Sequence, residues 1–176
     1  MKFAEAAIPG AFVIDIEPIA DERGFFARTF CRTEFGQRGL ETGFEQTSLS
    51  RNARRGTLRG MHYQAEPHGE VKLVRCSRGR ICDVIVDLRP DSPAYCRWVS
   101  VELSEHNCRA LYVPRGVAHG FVTLEDNAEV TYAISTAFRA ESARGVRWDD
   151  PAFAIEWPLA PVVLSARDAG YEDFRR

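Results

Sequence analysis

The chain has 176 residues, 45% of them hydrophobic and 27% charged, with a formal net charge of −2; this describes one ordinary globular domain, long enough to bury a core without staples. So balanced a charge gives no global attraction to nucleic acid or to an anionic membrane, and neither is expected as a partner. Cys31, Cys76, Cys82, Cys96 and Cys108 are an odd set with no CxxC pair, which fits reduced thiols better than a disulfide framework or a zinc site.

No charged and apolar leader opens the chain, and no apolar run approaches the length of a membrane span. A cytoplasmic, soluble protein is the expectation. Arginine greatly outnumbers lysine, Lys2 and Lys72 being the two lysines.

In chain order, Ala11 to Ile16 reads as a short strand after an Ile8-Pro9-Gly10 turn. Asp21-Glu22-Arg23-Gly24 is a turn leading into a strand from Phe25 to Phe30, and Thr33 caps a short helix to about Arg38. Phe44 to Arg51 is a strand, and Asn52 to Gly56 forms a basic loop. Gly56 to Gln64 begins the β-rich part; strict alternation would put Leu58, Gly60, His62 and Gln64 on one face and Arg59, Met61 and Tyr63 on the other. Val71 to Cys76 alternates, with Lys72, Val74 and Cys76 together, and Ser77-Arg78-Gly79 reads as a hairpin turn into Arg80 to Leu88. There Cys82, Val84, Val86 and Leu88 alternate with Asp83 and Asp87. Strands at Trp98 to Leu103 and Arg109 to Val113 follow, then Ala118 to Leu124 and Ala128 to Ser135 as a pair about Glu125-Asp126-Asn127. Beyond Arg139 the chain is irregular and proline-rich. Short strands with almost no helical periodicity predict a mainly β fold, a barrel or double-sheet jelly roll with short peripheral helices, as one domain over 1–176.

Four histidines are available: His62, His68, His106 and His119. His106 falls in a polar turn. His119 ends a P-x-G-x-x-H pattern similar to that of the cupin barrels, but His62-Tyr63-Gln64 lacks the H-x-H and glutamate of the metal-binding cupins, so no metal is expected. A histidine on the inner face of a barrel is a core residue, a ligand or an acid/base group. Tyr132 alternates with Val130 and Ile134 on an apolar face; such a tyrosine is core, or a phenol that gives or receives a proton. Lys72 shares its face with Val74 and Cys76, and an interior ammonium is costly unless it meets an anion. A histidine, a tyrosine and a lysine aimed into one cavity suit proton abstraction beside a carbonyl. The imidazole removes the proton, a cation stabilises the enolate, and the phenol returns a proton from the opposite face.

The chain resembles the dTDP-4-dehydrorhamnose 3,5-epimerase family from end to end. The matching residues are Asp21 to Phe26, Gly56 to Gln64, Lys72 to Arg75, Asp83 to Pro93, Pro114 to Phe121, Tyr132, Arg144 to Pro151, Ile155 to Pro158 and Ser165 to Asp168. The resemblance implies a cupin jelly roll without metal or cofactor, usually a homodimer, that epimerises C3, C5 or both in a nucleotide-diphosphate 4-keto-6-deoxy sugar. It implies that His62 is the base and Asp168 its partner, that Tyr132 is the acid, and that Lys72 and His119 line the sugar site. Arg23, Arg59 and Arg167 would hold the diphosphate or nucleotide, and Gln46 and Ser48 lie in the nucleotide-contact segment. Departures fall at the nucleotide and sugar end. Arg28 stands where a glutamate is usual, Phe138 where a tyrosine is common, Ala133 where a lysine is frequent, and Gln46-Thr47-Ser48 where Gln-Asp-Asn is typical. They point to another 4-keto sugar or another base. The alternatives are a C3-only or C5-only epimerase or a ketoisomerase on a non-dTDP sugar, and, from another class, a non-catalytic sugar-nucleotide binding protein.

Overall fold

The computed structural model describes residues 1–175. Thirteen strands and two short helices are formed: β1 (Lys2–Glu5), β2 (Phe12–Asp15), β3 (Ile19–Asp21), β4 (Gly24–Phe26), α1 (Arg32–Gly36), β5 (Gln46–Asn52), β6 (Leu58–Gln64), β7 (Lys72–Arg78), β8 (Arg80–Asp87), β9 (Trp98–Ser104), β10 (Ala110–Val113), β11 (Val117–Thr123), β12 (Ala128–Ile134), β13 (Ala143–Gly145) and α2 (Ala166–Ala169). Six strands make one antiparallel sheet in the order β1-β2-β10-β7-β12-β5, five make a second in the order β13-β6-β11-β8-β9, and β3 and β4 form a separate ribbon. This is the expected jelly roll.

The two large sheets enclose one core, where Val74, Cys76, Leu111 and Val130 of the first meet Ile81, Ile85, Leu103 and Phe121 of the second. Each sheet is also covered outside. Ile14, Leu73 and Tyr112 pack under α1 through Phe35. Met61, Val84, Val86 and Ala118 pack under Val146 and Phe153 of the carboxyl-terminal segment. Both faces of these strands are therefore apolar, which explains why β8 reads as a nearly continuous buried run.

That double burial corrects two expected hairpins. β7 and β8 do not pair across Ser77-Arg78-Gly79, nor β11 and β12 across Glu125-Asp126-Asn127; each turn carries the chain from one sheet to the other. β7 lies between β10 and β12, and β8 between β11 and β9. Gly79 and Asn127 adopt positive φ angles, 69° and 57°, at these crossings. Alternation locates strands but does not distinguish a hairpin from an arch between sheets.

Two other boundaries move. The strand expected to reach Phe30 stops at Phe26, because Phe30 turns in to pack against Phe35 and Phe44. The helix begins at Arg32 after an extended Cys31, with no side-chain cap, so Thr33 lies inside it. Docking of the buried Phe35 against Phe3, Phe30 and Tyr112 holds this five-residue helix, which is too short to persist by propensity.

Candidate active site

The site begins with an irregularity in β6. Opposite β11, His62 pairs with His119 and Arg59 with Phe121, so three steps on β6 face two on β11. This bulge breaks strict alternation. It turns both Arg59 and His62 toward the space between the sheets and sends Met61 to the outer core. The expected partition of odd and even positions along β6 is corrected accordingly. The close approach needs two glycines: a Cβ on Gly60 would meet Gly120 Cα at 2.5 Å, and one on Gly120 would meet Arg59 O at 2.8 Å.

A cavity of about 770 Å³ opens between the sheets. His62 lines it from β6 and Tyr132 from β12, on opposite sheets. His62 Nε2 lies 2.7 Å from Asp168 Oδ1. The second carboxylate oxygen, Oδ2, accepts from the Gly60 N–H at 3.3 Å, and the Asp168 N–H donates to Ser165 Oγ, the N-cap of α2. Burial pushes the Asp168 carboxyl up, but the His62 hydrogen bond and charge, with the Gly60 N–H, hold it below the usual carboxylate range. An ionised Asp168 accepts a hydrogen bond from Nε2–H and leaves Nδ1 as the ring nitrogen free to accept a proton.

A second histidine–carboxylate pair stands beside the first. His119 Nε2 is 2.7 Å from Asp83 Oδ1, both side chains being buried. Tyr132 sets its ring edge-on to His119 at 6.0 Å. Burial pushes the Tyr132 phenol well above its ordinary value, with Arg59 opposing. The hydroxyl therefore keeps its proton. Lys72 Nζ donates to the His62 carbonyl at 3.0 Å and pairs with Glu70 at 3.0 Å. Two of its three N–H donors are thus engaged, and one is left for a ligand. Among the described residues no group of three or more histidine, cysteine, aspartate or glutamate side chains is placed to hold a metal ion.

The family model named dTDP-4-dehydrorhamnose 3,5-epimerase matches residues 5–176 of this chain. The chain belongs to that family. It is an isomerase. A dTDP-4-dehydrorhamnose 3,5-epimerase from Sinorhizobium fredii is 42% identical over 170 residues, 96% of this chain and 87% of that one. The crystal structure of the Bacillus anthracis enzyme with TDP and PPi bound superposes with a TM-score of 0.95 at 36% identity, covering 98% of this chain and 99% of that one. ChmJ, a 3'-monoepimerase from Streptomyces bikiniensis solved with dTDP-quinovose, superposes at 0.89 with 32% identity, covering 96% and 85%.

Of the residues that likeness to the epimerase family nominates, His62, Lys72, His119, Tyr132, Asp168, Gln46, Ser48, Arg59, Phe138 and Arg167 all line this one cavity. Gln46 also receives the Phe138 N–H at 3.0 Å, and Arg59 donates to Asn52 at 2.7 Å. Arg23 and Arg28 do not line it. Arg23, 84% exposed, pairs with Asp21 in the β3–β4 turn, and Arg28 lies beside Glu34. Asp83 and Glu70 are the functional candidates that sequence reasoning missed. A signal for Asp83 exists: it shares the inward parity of Ile81 and Ile85 on a strand buried on both faces. No comparable signal marks Glu70, which sits in the loop before β7.

Proposed function

We propose that this protein epimerises a dTDP-linked 4-keto-6-deoxy sugar at C3, C5 or both, through an enolate. The observation that carries the reading is the placement of the His62–Asp168 pair and the protonated Tyr132 on facing walls of one cavity. His62 Nδ1 takes the proton from the carbon beside the 4-keto group, and Asp168 stabilises the imidazolium. The electron pair moves into the carbonyl, whose oxygen meets the free donor of Lys72. Tyr132 returns a proton to the opposite face, which inverts the centre; solvent then removes the proton from His62 and restores the phenol. Arg59 and Arg167 supply positive charge for the diphosphate, with Gln46, Ser48 and Phe138 toward the nucleotide. The thymidine nucleotides in the names of its relatives support thymine as the base.

The active unit we propose is a homodimer. Ile19, Phe25 and Phe26 of the β3–β4 ribbon and Leu49 of the edge strand β5 are exposed large apolar side chains, of the kind that a partner covers. Arg23 in the β3–β4 turn and Arg28 just beyond β4 lie outside the cavity of their own chain, so they would meet nucleotide only in the cavity of a second copy. The five free thiols support a reducing, cytoplasmic setting.

The test is deuterium wash-in from heavy water with dTDP-4-keto-6-deoxyglucose, read by mass spectrometry and proton NMR. Exchange at C3 and C5 that disappears in His62→Ala is the expected outcome, with Tyr132→Phe exchanging but not inverting. Exchange at one carbon alone would assign a mono-epimerase. Absence of exchange with dTDP-, CDP- and GDP-linked substrates alike would overturn the reading.

A further inference from the structure

The two histidine–carboxylate pairs look alike in distance but differ in what surrounds the carboxylate. Asp168 has its second oxygen on the Gly60 N–H, beside a His62 ring that is 38% exposed. Asp83 is 0% exposed against a His119 ring at 5%, and Oδ2 of Asp83 is buried with no hydrogen-bond partner. An ionised carboxylate left with one partner in so dry a place is costly, and a buried ion pair is poorly compensated unless its remaining lone pairs are satisfied.

We propose that Asp83 is a positioning residue that stands as the neutral acid, donates a hydrogen bond to Nε2 of His119, and so makes His119 Nδ1–H a donor to the sugar's 4-oxygen. The inference rests on the enolate reading above and assigns the polarity of its second histidine. His62, facing an ionised carboxylate, presents a bare Nδ1 and accepts; His119, facing a carboxylic acid, presents Nδ1–H and donates. One pair takes the proton from carbon while the other holds the oxygen on which charge develops, and no proton leaves Asp83 during turnover. The groups facing Asp83 are consistent with this. Burial pushes its carboxyl up, against the downward pull of His119 and Lys72. Environments that drive two like groups apart in this way mark out which is acid and which is base.

The tautomers are directly observable, since only four histidines are present. In protein labelled with ¹⁵N at histidine, at neutral pH and without ligand, His119 is expected neutral with the proton on Nδ1, and His62 with the proton on Nε2. A His119 protonated on Nε2, or on both nitrogens, overturns the proposal. Kinetics give a second arm. An amide N–H can replace the acid as donor, so Asp83→Asn should stay within about ten-fold of wild type in kcat, while Asp83→Leu, which removes the donor, should lose roughly 100-fold. If the two variants are equally impaired, Asp83 is not acting as a donor. Failure of wild type to exchange deuterium would remove the enolate reading, while the ligand-free spectra decide the state of Asp83 independently.

Discussion

At the scale of single residues, the chemistry depends on small differences in hydrogen bonding. In the proposed mechanism Asp168 acts as a carboxylate, and the hydrogen bonds it receives from His62 and the Gly60 N–H favour that ionised form. Asp168→Asn should lower kcat by about 10²–10⁴-fold, with much smaller change in KM, because the imidazole loses its fixed tautomer and its counter-charge. The same carboxylate links stability to pH. Its folded pKa is depressed, so its stabilising contribution is present above the ordinary carboxylate value, about 4, and is lost as pH falls through the lower folded value. Thermal melts of wild type and Asp168→Asn should therefore converge on acidification. The site residues that could be read from sequence include Lys72 and Tyr132, marked by alternation, and His119, marked by the P-x-G-x-x-H pattern. Asp168 could not be reached that way, since it comes from a four-residue helix some hundred positions from the strand it serves; family likeness alone nominated it.

At the scale of elements, the bulge in β6 is the feature on which the site turns. Alternation alone assigned Arg59 and His62 to opposite faces, because no single-strand pattern announces an extra residue in a ladder. The clue was the glycine at 60, whose meaning depends on Gly120 in a strand still unidentified as its neighbour. Gly120→Ala should be destabilising by about 1–3 kcal/mol, since the new methyl would strike Met61 Sδ at 2.6 Å and Arg59 O at 2.8 Å. Activity should fall further than stability, because relief of the clash moves Arg59 and His62 together. Chemical denaturation alongside steady-state kinetics separates the two effects; an Ala variant with wild-type kinetics would show that the bulge does not set the site. The arches at Gly79 and Asn127 were misread for a related reason: local turn chemistry is the same whether the next strand pairs with the last or faces it across the core.

At the scale of the whole molecule, the β3–β4 ribbon leaves Ile19 at 74% and Phe26 at 76% exposure, the most exposed of the large apolar side chains among the described residues. Replacing both with aspartate should give a monomer by sedimentation velocity, with nucleotide affinity reduced roughly ten-fold or more if Arg23 and Arg28 serve a neighbouring cavity. Wild-type sedimentation as a monomer at micromolar concentration would dispose of the dimer. Alkaline conditions probe the core instead. Burial pushes the Cys76 and Cys82 thiols up to about 11, and Tyr132 is raised as well. Acids with raised folded pKa values stabilise fully below their unfolded values, and that contribution is lost as pH climbs toward the folded ones. Unfolding free energy should fall above about pH 9, with both thiols silent to alkylating reagents at pH 8.

The sheet-switching turns also govern how the molecule comes to exist. Since consecutive strands at Gly79 and Asn127 are assigned to different sheets, the ladders that frame the cavity join distant stretches of chain: β6 to β11, and β12 to β5 and β7. Such closures must be made before they are rewarded, and folds dominated by them are slow, in roughly the millisecond-to-second range for small domains. Neither wall of the cavity is a local unit that could form ahead of the rest. Recovery of activity on refolding should therefore coincide with the last tertiary signal, and a nascent chain released before β12 would carry His62 and Lys72 yet lack both Tyr132 and the strand that joins β5 to β7.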